Sequence, residues 1–104
     1  MNILKKWIVL CWNIRGLNTR DKQLALLNAI NTSGCDVVCL QETKKSSFDL
    51  TFIKSCCPAR FDEFVYVPSN GASGGLAIIW NSYIFSGMVM HCESFALTFY
   101  FTST

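Results

Sequence analysis

Near its start, the chain carries two short hydrophobic runs with an amphipathic segment between them. Residues 7–12 form a continuous apolar run of strand length, which predicts a strand buried on both faces. A polar loop with Gly16 follows, and Asn18 or Thr19 can then cap a helix that Gly34 ends in the left-handed region. The apolar positions of this helix recur at helical spacing, namely Leu24, Leu27 and Ile30, with Leu26 alongside.

A second apolar strand over residues 36–40 completes a strand, a helix and a strand of the length of a βαβ unit. The two strands of such a unit run parallel, so their carboxyl ends meet at one edge of the sheet. Asn13 follows the first strand, and Gln41 and Glu42 follow the second. Because open α/β sheets bind ligands at this edge, the pattern predicts a site with amide and carboxylate side chains there.

The rest of the chain alternates mostly with the period of β-strands. Ser46 or Ser47 is expected to cap a short helix that Pro58 stops, with apolar residues on one side: Phe48, Phe52, Ile53 and Cys56. Strands are then predicted over residues 61–67, 76–80, 83–90 and 94–102. The predicted fold class is α/β, with one βαβ unit followed by mainly antiparallel strands.

The last predicted strand alternates most clearly, with one row of apolar side chains predicted to point inward: Phe95, Leu97, Phe99 and Phe101. An edge of this kind is a pairing template for another chain. Self-association through the edge from Phe95 to Phe101 is therefore one prediction.

Composition places the chain among small folded domains. It has 104 residues, of which 51% are hydrophobic and 15% charged, and this apolar fraction excludes a disordered chain. The net charge of +2 gives no basic field typical of nucleic-acid binding. Residues 7–12 are too short for the apolar part of a signal peptide, and no stretch approaches a membrane span, so an intracellular, soluble protein is expected.

Six cysteines are consistent with reduced, mostly structural thiols. Four lie in or beside apolar runs, where a free cysteine behaves as a small hydrophobic residue. No Cys-x-x-Cys pair occurs, and Cys35 and Cys39 lack partners at zinc-finger spacing.

Glu42 beside Asn13 carries the clearest chemistry. Mg²⁺ prefers oxygen ligands, keeps several waters and needs only one or two carboxylates. By pattern alone, Glu42 is either such a ligand or a solvated carboxylate, and the second is commoner.

His91 is the only imidazole and is more often structural than a general base in such a context. The glycine-rich segment of residues 71–75 lacks a P-loop lysine.

Three segments together carry a resemblance to a known family. They are Trp12-Asn-Ile-Arg-Gly-Leu17, Asp36-Val-Val-Cys-Leu-Gln-Glu-Thr-Lys44 and Gly71-Ala-Ser-Gly-Gly-Leu-Ala-Ile-Ile-Trp-Asn81. The first two resemble the opening of the endonuclease/exonuclease/phosphatase superfamily. With the third, the chain is similar to the apurinic-type endonuclease domain of plant LINE (non-LTR) retrotransposons, and residues 1–104 are identified as the first half of such a domain.

The resemblance implies part of a four-layer α/β sandwich and a Mg²⁺-dependent phosphodiesterase (Mn²⁺ as the alternative ion) that acts on DNA in the nucleus. It makes Glu42 the principal metal ligand and Asn13 a second catalytic residue. Gln41, Arg15 and Lys44 are implied to support the metal site or to contact phosphate.

The later motifs of that family are absent from these residues, among them Asp-x-Asn and Ser-Asp-His. The 104 residues are therefore expected to be inactive alone, since they lack the base that activates water. Two alternatives stay open: a non-catalytic interaction module that uses its strand edge, and a fragment of another phosphoesterase of the same superfamily.

Overall fold

The computed structural model describes residues 8–93 and 96–103, with side chains up to residue 87. Its elements follow the predicted order: β1 (Val9–Asn13), α1 (Arg20–Ser33), β2 (Val37–Gln41), α2 (Leu50–Cys56), β3 (Glu63–Val67), β4 (Leu76–Trp80), β5 (Phe85–Glu93) and β6 (Ala96–Ser103). Trp7 and Phe95, which the sequence assigns to strands, lie outside the described residues, as do the side chains of the row predicted to point inward from β6. Within residues 8–93 and 96–103, neither helix has the length and apolar character needed to cross a bilayer.

The strands form a four-stranded sheet in the order β1-β2-β4-β3 and a two-stranded sheet of β5 and β6. β1 and β2 are parallel, whereas β4 is antiparallel to both β2 and β3, and β5 is antiparallel to β6. The predicted α/β class, one βαβ unit followed by antiparallel strands, is therefore confirmed.

Helix α1 begins at Thr19, which is one of the two predicted N-caps. The Thr19 hydroxyl accepts a hydrogen bond from the Lys22 backbone N–H at 3.3 Å. Gly34 ends the helix with φ 67°, and its N–H donates to the carbonyl of Ile30 at 2.9 Å. This is the left-handed cap that the sequence predicted.

The buried side of α1 differs from the prediction at one position. Leu26 and Ile30 have no exposed surface, whereas Leu24 is 47% exposed. Leu26 and Ile30 are four residues apart and share one side of the helix. Leu24 lies two residues before Leu26, about 200° around the helix axis, so it cannot face the sheet with them. The sequence groups Leu24 with Leu27 and Ile30 at helical spacing, and the exposure of Leu24 separates it from the buried side.

Helix α2 begins at Asp49, and the predicted caps Ser46 and Ser47 are wrong. The Asp49 carboxylate accepts from the Phe52 N–H at 2.7 Å. Phe48 precedes this cap and Ile53 lies one turn into the helix, and both belong to the main core. These are the positions of a hydrophobic staple, which fixes where the helix starts.

The helices pack on one face of the four-stranded sheet. The main core joins Leu26 and Ile30 of α1, Ile53 of α2, and Val38 and Ile79 of the sheet.

A smaller cluster lies on the opposite face, where Phe85 at the start of β5 packs with Val37 and Trp80. On that face of β1, Val9 is 48% exposed and Cys11 is also exposed. The prediction that the first strand is buried on both faces is wrong, since its residues are alternately exposed and half-buried.

Asp62 and Ser82 are joined beside the turn between β4 and β5. The Asp62 carboxylate accepts from the Ser82 backbone N–H at 2.9 Å and from the Ser82 hydroxyl at 2.6 Å. Burial acts to raise the pKa of Asp62, but the hydrogen bonds of Ser82 and the charge of Lys54 outweigh it, so the pKa lies below its usual value.

We expect Ser82→Ala to raise the pKa of Asp62 toward its unfolded value, because the variant loses the hydroxyl bond to the charged form. A carboxyl with a lowered folded pKa stabilises the fold above its unfolded pKa and stops doing so as pH falls through the folded value. The difference in unfolding free energy between the two proteins should thus shrink on acidification. An NMR titration of the Asp62 carboxyl carbon measures the change in its pKa, and Ser86→Ala is the control. Equal titration midpoints in wild type and Ser82→Ala would show that the Ser82 hydroxyl does not lower the pKa of Asp62.

Candidate active site

The register of the parallel strands places Asn13 next to Gln41. These two residues are paired at the carboxyl ends of β1 and β2, and Glu42 follows Gln41 directly. The side chains of Asn13, Gln41 and Glu42 are all exposed. An amide, a second amide and a carboxylate therefore lie at one end of the sheet, while their roles as ligands stay predictions.

Backbone pairing continues beyond the two strands and fixes the segment that carries Glu42. The Ile14 N–H donates to the Gln41 carbonyl at 3.1 Å, and the Gly16 N–H donates to the Glu42 carbonyl at 2.8 Å. The Leu17 N–H then donates to the Thr43 carbonyl at 2.9 Å. Because Ile14, Leu17 and Thr43 are fully buried, the exposed residues rest on a packed base.

The glycine-rich loop before β4 holds the same segment from its other side. The Thr43 N–H donates to the Gly75 carbonyl at 3.1 Å, and the Lys44 N–H donates to the Gly74 carbonyl at 2.8 Å. Gly75 has φ 95°, and a Cβ there would overlap the Thr43 hydroxyl. In sequence, this loop resembles a phosphate-binding loop only weakly, whereas in the structure it supports residues 43–44.

Three residues other than glycine have positive φ among the described residues, and all three were predicted site residues. They are Arg15 (φ 54°), Glu42 (φ 53°) and Lys44 (φ 56°). Each such conformation costs about 1–2 kcal/mol in a residue with a Cβ. Backbone strain of this kind is concentrated at functional sites, where the surrounding structure enforces it.

We expect Lys44→Gly to be more stable than Lys44→Ala by about 1 kcal/mol, because only glycine relieves the strain at φ 56°. The matched pair is Lys54→Gly and Lys54→Ala in α2, where glycine should be the less stable by about 1 kcal/mol. Both pairs remove a lysine side chain, so the opposite signs of the Gly-minus-Ala difference isolate the effect of backbone conformation. Urea denaturation measures the unfolding free energy of the four variants. The same sign at both positions would show that the backbone at Lys44 is not strained.

Side chains from neighbouring elements anchor this end of the sheet. The Asn18 amide donates to the Lys44 carbonyl at 2.7 Å, and the Lys22 ammonium donates to the Ile14 carbonyl at 2.8 Å. The Lys45 ammonium lies 3.9 Å from the centroid of the Phe52 ring, a cation–π contact. Sequence reasoning weighed Asn18 only as a helix cap and missed the supporting roles of Lys22, Thr43 and Gly75. The paired glycines before β4 were the one available signal, since they permit close backbone approach.

Up to residue 87, where the described side chains end, no group of three or more His, Cys, Asp or Glu side chains could hold a metal ion. His91 lies in β5, and its side chain is outside the described ones. The carboxylate of Glu42 and the amides of Asn13 and Gln41 offer oxygen donors, the type that Mg²⁺ prefers and softer metals do not.

Comparison with known proteins identifies a family for the chain. A search of curated proteins found no match. The family described as "Endonuclease/Exonuclease/phosphatase family" matches residues 10–96, which include β2, all of β1 except its first residue, and the loop that supports the edge. The four-stranded sheet with its two helices is also consistent with part of the α/β sandwich of that family. From its sequence and its fold, the chain belongs to the endonuclease/exonuclease/phosphatase family.

Proposed function

We propose that this chain forms the metal-binding amino-terminal part of a Mg²⁺-dependent phosphodiesterase that cleaves DNA, of the kind found in plant LINE retrotransposons. The observation that carries the proposal is the convergence of Asn13, Gln41 and Glu42 at one end of the paired strands. Family membership supports the phosphoesterase class. The Gly71 to Asn81 segment supports the LINE type, through the resemblance described above.

Glu42 is the residue proposed to hold the metal, with Asn13 beside it. Both side chains are exposed. The backbone of Asn13 pairs with Gln41 in the β1–β2 ladder, and the segment that carries Glu42 is held between residues 16–17 and the glycine-rich loop. A site fixed in this way needs little rearrangement when it binds a ligand. When bound, Mg²⁺ would supply Lewis-acid stabilisation of the charge that develops on the phosphate.

Arg15 and Lys44 are proposed to contact the phosphate backbone, and Gln41 to support the ligands. Both cations are exposed and have positive φ. Arg15 lies in the segment after β1, and Lys44 lies in the segment after β2. Contacts of this type fix the position of a nucleic acid without reading its sequence.

The same 104 residues are proposed to be inactive alone. Hydrolysis needs a group that activates water, and the sequence contains one histidine, His91, outside the motif that would make it a catalytic base. Each tenfold loss in rate corresponds to about 1.4 kcal/mol, and a metal ligand without a base leaves most of the barrier in place.

The test combines metal binding with a nicking assay on the full chain. Mn²⁺ replaces Mg²⁺ as a paramagnetic probe and should broaden the amide NMR signals of Asn13 and Glu42 first. Glu42→Gln should weaken binding roughly tenfold or more, a loss of at least about 1.4 kcal/mol. Glu63→Gln is the matched control, because Glu63 is exposed and pairs with Trp80 at the opposite end of the sheet.

Two outcomes would contradict the proposal separately. Equal Mn²⁺ affinity in Glu42→Gln and Glu63→Gln would remove the metal site. Nicking of supercoiled plasmid by the wild-type chain in Mg²⁺, lost in Glu42→Gln, would keep the site and overturn the inactivity of the chain alone.

A further inference from the structure

Cys11 and Cys39 stand side by side on neighbouring parallel strands. They are partners in the β1–β2 register. Adjacent strands lie about 4.8 Å apart. Disulfides form between residues whose Cα atoms are about 4.4–6.8 Å apart, so the backbone separation already falls in that range.

The two side chains also point to the same face of the sheet, the one away from the helices. Cys39 lies against the cluster of Val37, Trp80 and Phe85, on the opposite face from the main core. Burial raises the pKa of the Cys39 thiol, and the neighbouring Cys11 thiol raises it further. Cys11 is exposed and Cys39 is half-buried, so solvent reaches the pair through Cys11.

We propose that Cys11 and Cys39 form a reversible redox modification site that closes to a disulfide when a hydroperoxide oxidises the exposed thiol. The Cys11 sulfur attacks the terminal peroxide oxygen, the O–O bond breaks, and an alcohol or water leaves, giving a sulfenic acid on Cys11. The Cys39 sulfur then attacks the Cys11 sulfur, the S–O bond breaks, and water leaves. Two thiols and one hydroperoxide thus give one disulfide, one alcohol (or water) and one further water.

The assignment of roles follows from exposure. Cys11 is exposed and Cys39 is half-buried, so a hydroperoxide reaches the Cys11 sulfur first. Cys39 is therefore the residue that resolves the sulfenic acid.

Exposure makes this disulfide reversible. Because Cys11 is exposed, a thiol reductant can reach the bond from solvent. Strained and exposed disulfides are reduced more readily than structural ones.

Cys56 and Cys57 provide an internal comparison. Their sulfur atoms lie 3.9 Å apart, and the hydrogen bond from Cys57 lowers the pKa of the Cys56 thiol. The two residues are only 1% and 4% exposed, so a hydroperoxide has little access to them. If thiol acidity decided the reaction, Cys56 would react first; if access decides it, Cys11 does.

The test treats the folded chain with hydrogen peroxide, blocks the remaining thiols and digests the protein with trypsin and an Asp-directed protease. Cys11 then lies in the peptide from Trp7 to Arg15, Cys39 in the peptide from Asp36 to Lys44, and the Cys56–Cys57 pair in the peptide from Ser55 to Arg60. The first two peptides should appear joined, with a mass lower by two hydrogens than their sum. A thiol reductant should separate them, and dilution of the protein should not change the yield.

Single variants establish the order of events. In Cys39→Ser, the sulfenic acid on Cys11 should persist and be trapped by dimedone in several-fold greater yield than in wild type, whereas in Cys11→Ser the Cys39 thiol should stay unmodified. The proposal is overturned if dimedone labels Cys11 equally in wild type and Cys39→Ser, if the peptide of Cys56 and Cys57 is oxidised first, or if Cys11 pairs between molecules. Circular dichroism confirms that each variant is folded, and Cys11→Ser changes only an exposed position.

Discussion

Gly75→Ala should destabilise the chain by about 3 kcal/mol. The new methyl group would overlap the Thr43 hydroxyl and lie 3.2 Å from the Lys44 backbone nitrogen, and neither group belongs to a flexible side-chain end that can move away cheaply. The φ of 95° adds strain for any residue with a Cβ. Overpacking of a close contact costs about 1–3 kcal/mol, and the backbone strain adds to it.

Gly71→Ala is the control for this substitution. Gly71 also has a positive φ, 62°, but a Cβ there meets nothing within 4 Å. The variant Gly71→Ala should therefore lose only about 1 kcal/mol of unfolding free energy, the cost of a residue with a Cβ at positive φ. Urea denaturation of both variants separates the two effects. Equal losses would show that the loop does not press on residues 43–44, and the supporting role assigned to it would fail.

The same substitution links stability to the proposed site. The carbonyl of Gly75 accepts the N–H of Thr43, and the segment from Glu42 to Lys44 is held between this loop and residues 16–17. A displaced Thr43 would move Glu42 with it, because they are neighbours in one short paired segment. Mn²⁺ binding to Gly75→Ala should consequently weaken under conditions in which the variant is still folded, whereas Gly71→Ala should bind as the wild type does.

The position of the candidate site could be predicted because it depends on local patterns. Two apolar runs around an amphipathic helix fix a parallel strand pair, and the residues that follow the strands must then lie at one edge. Neither Asn13 nor Glu42 needs any long-range information to be placed there. The same reasoning gave the Gly34 cap, since a glycine after the last helical turn is a local signal.

Burial and strain could not be read in the same way. A continuous apolar run is the same sequence whether one or both faces of a strand are covered, and β1 exposes Val9 while it half-buries Leu10. Positive φ at Arg15 and Glu42 leaves no mark in the sequence, because it arises from backbone pairing with a distant segment. The cap of α2 was missed for a related reason: Phe48 and Ile53 both enter the core, which selects Asp49 over the nearby serines.

Leu26→Ala should destabilise the chain by about 3 kcal/mol, within the range of about 2–5 kcal/mol for a buried leucine. Leu26 has no exposed surface and belongs to the main core between α1 and the sheet. The loss combines the transfer free energy of the removed methyl and methylene groups with the cavity left behind. Thermal or urea denaturation measures it.

Leu24→Ala in the same helix provides the matched control, because the two substitutions have the same effect on helix propensity. Leu24 is 47% exposed, so its truncation should cost less than about 1 kcal/mol. The sequence pattern assigned both leucines to the apolar side, and only the structure separates them. Similar losses at the two positions would mean that α1 is rotated about its axis relative to this structure. Such a rotation would also break the bond from Lys22 to the Ile14 carbonyl, and with it the anchor that α1 provides beside the edge of Asn13 and Glu42.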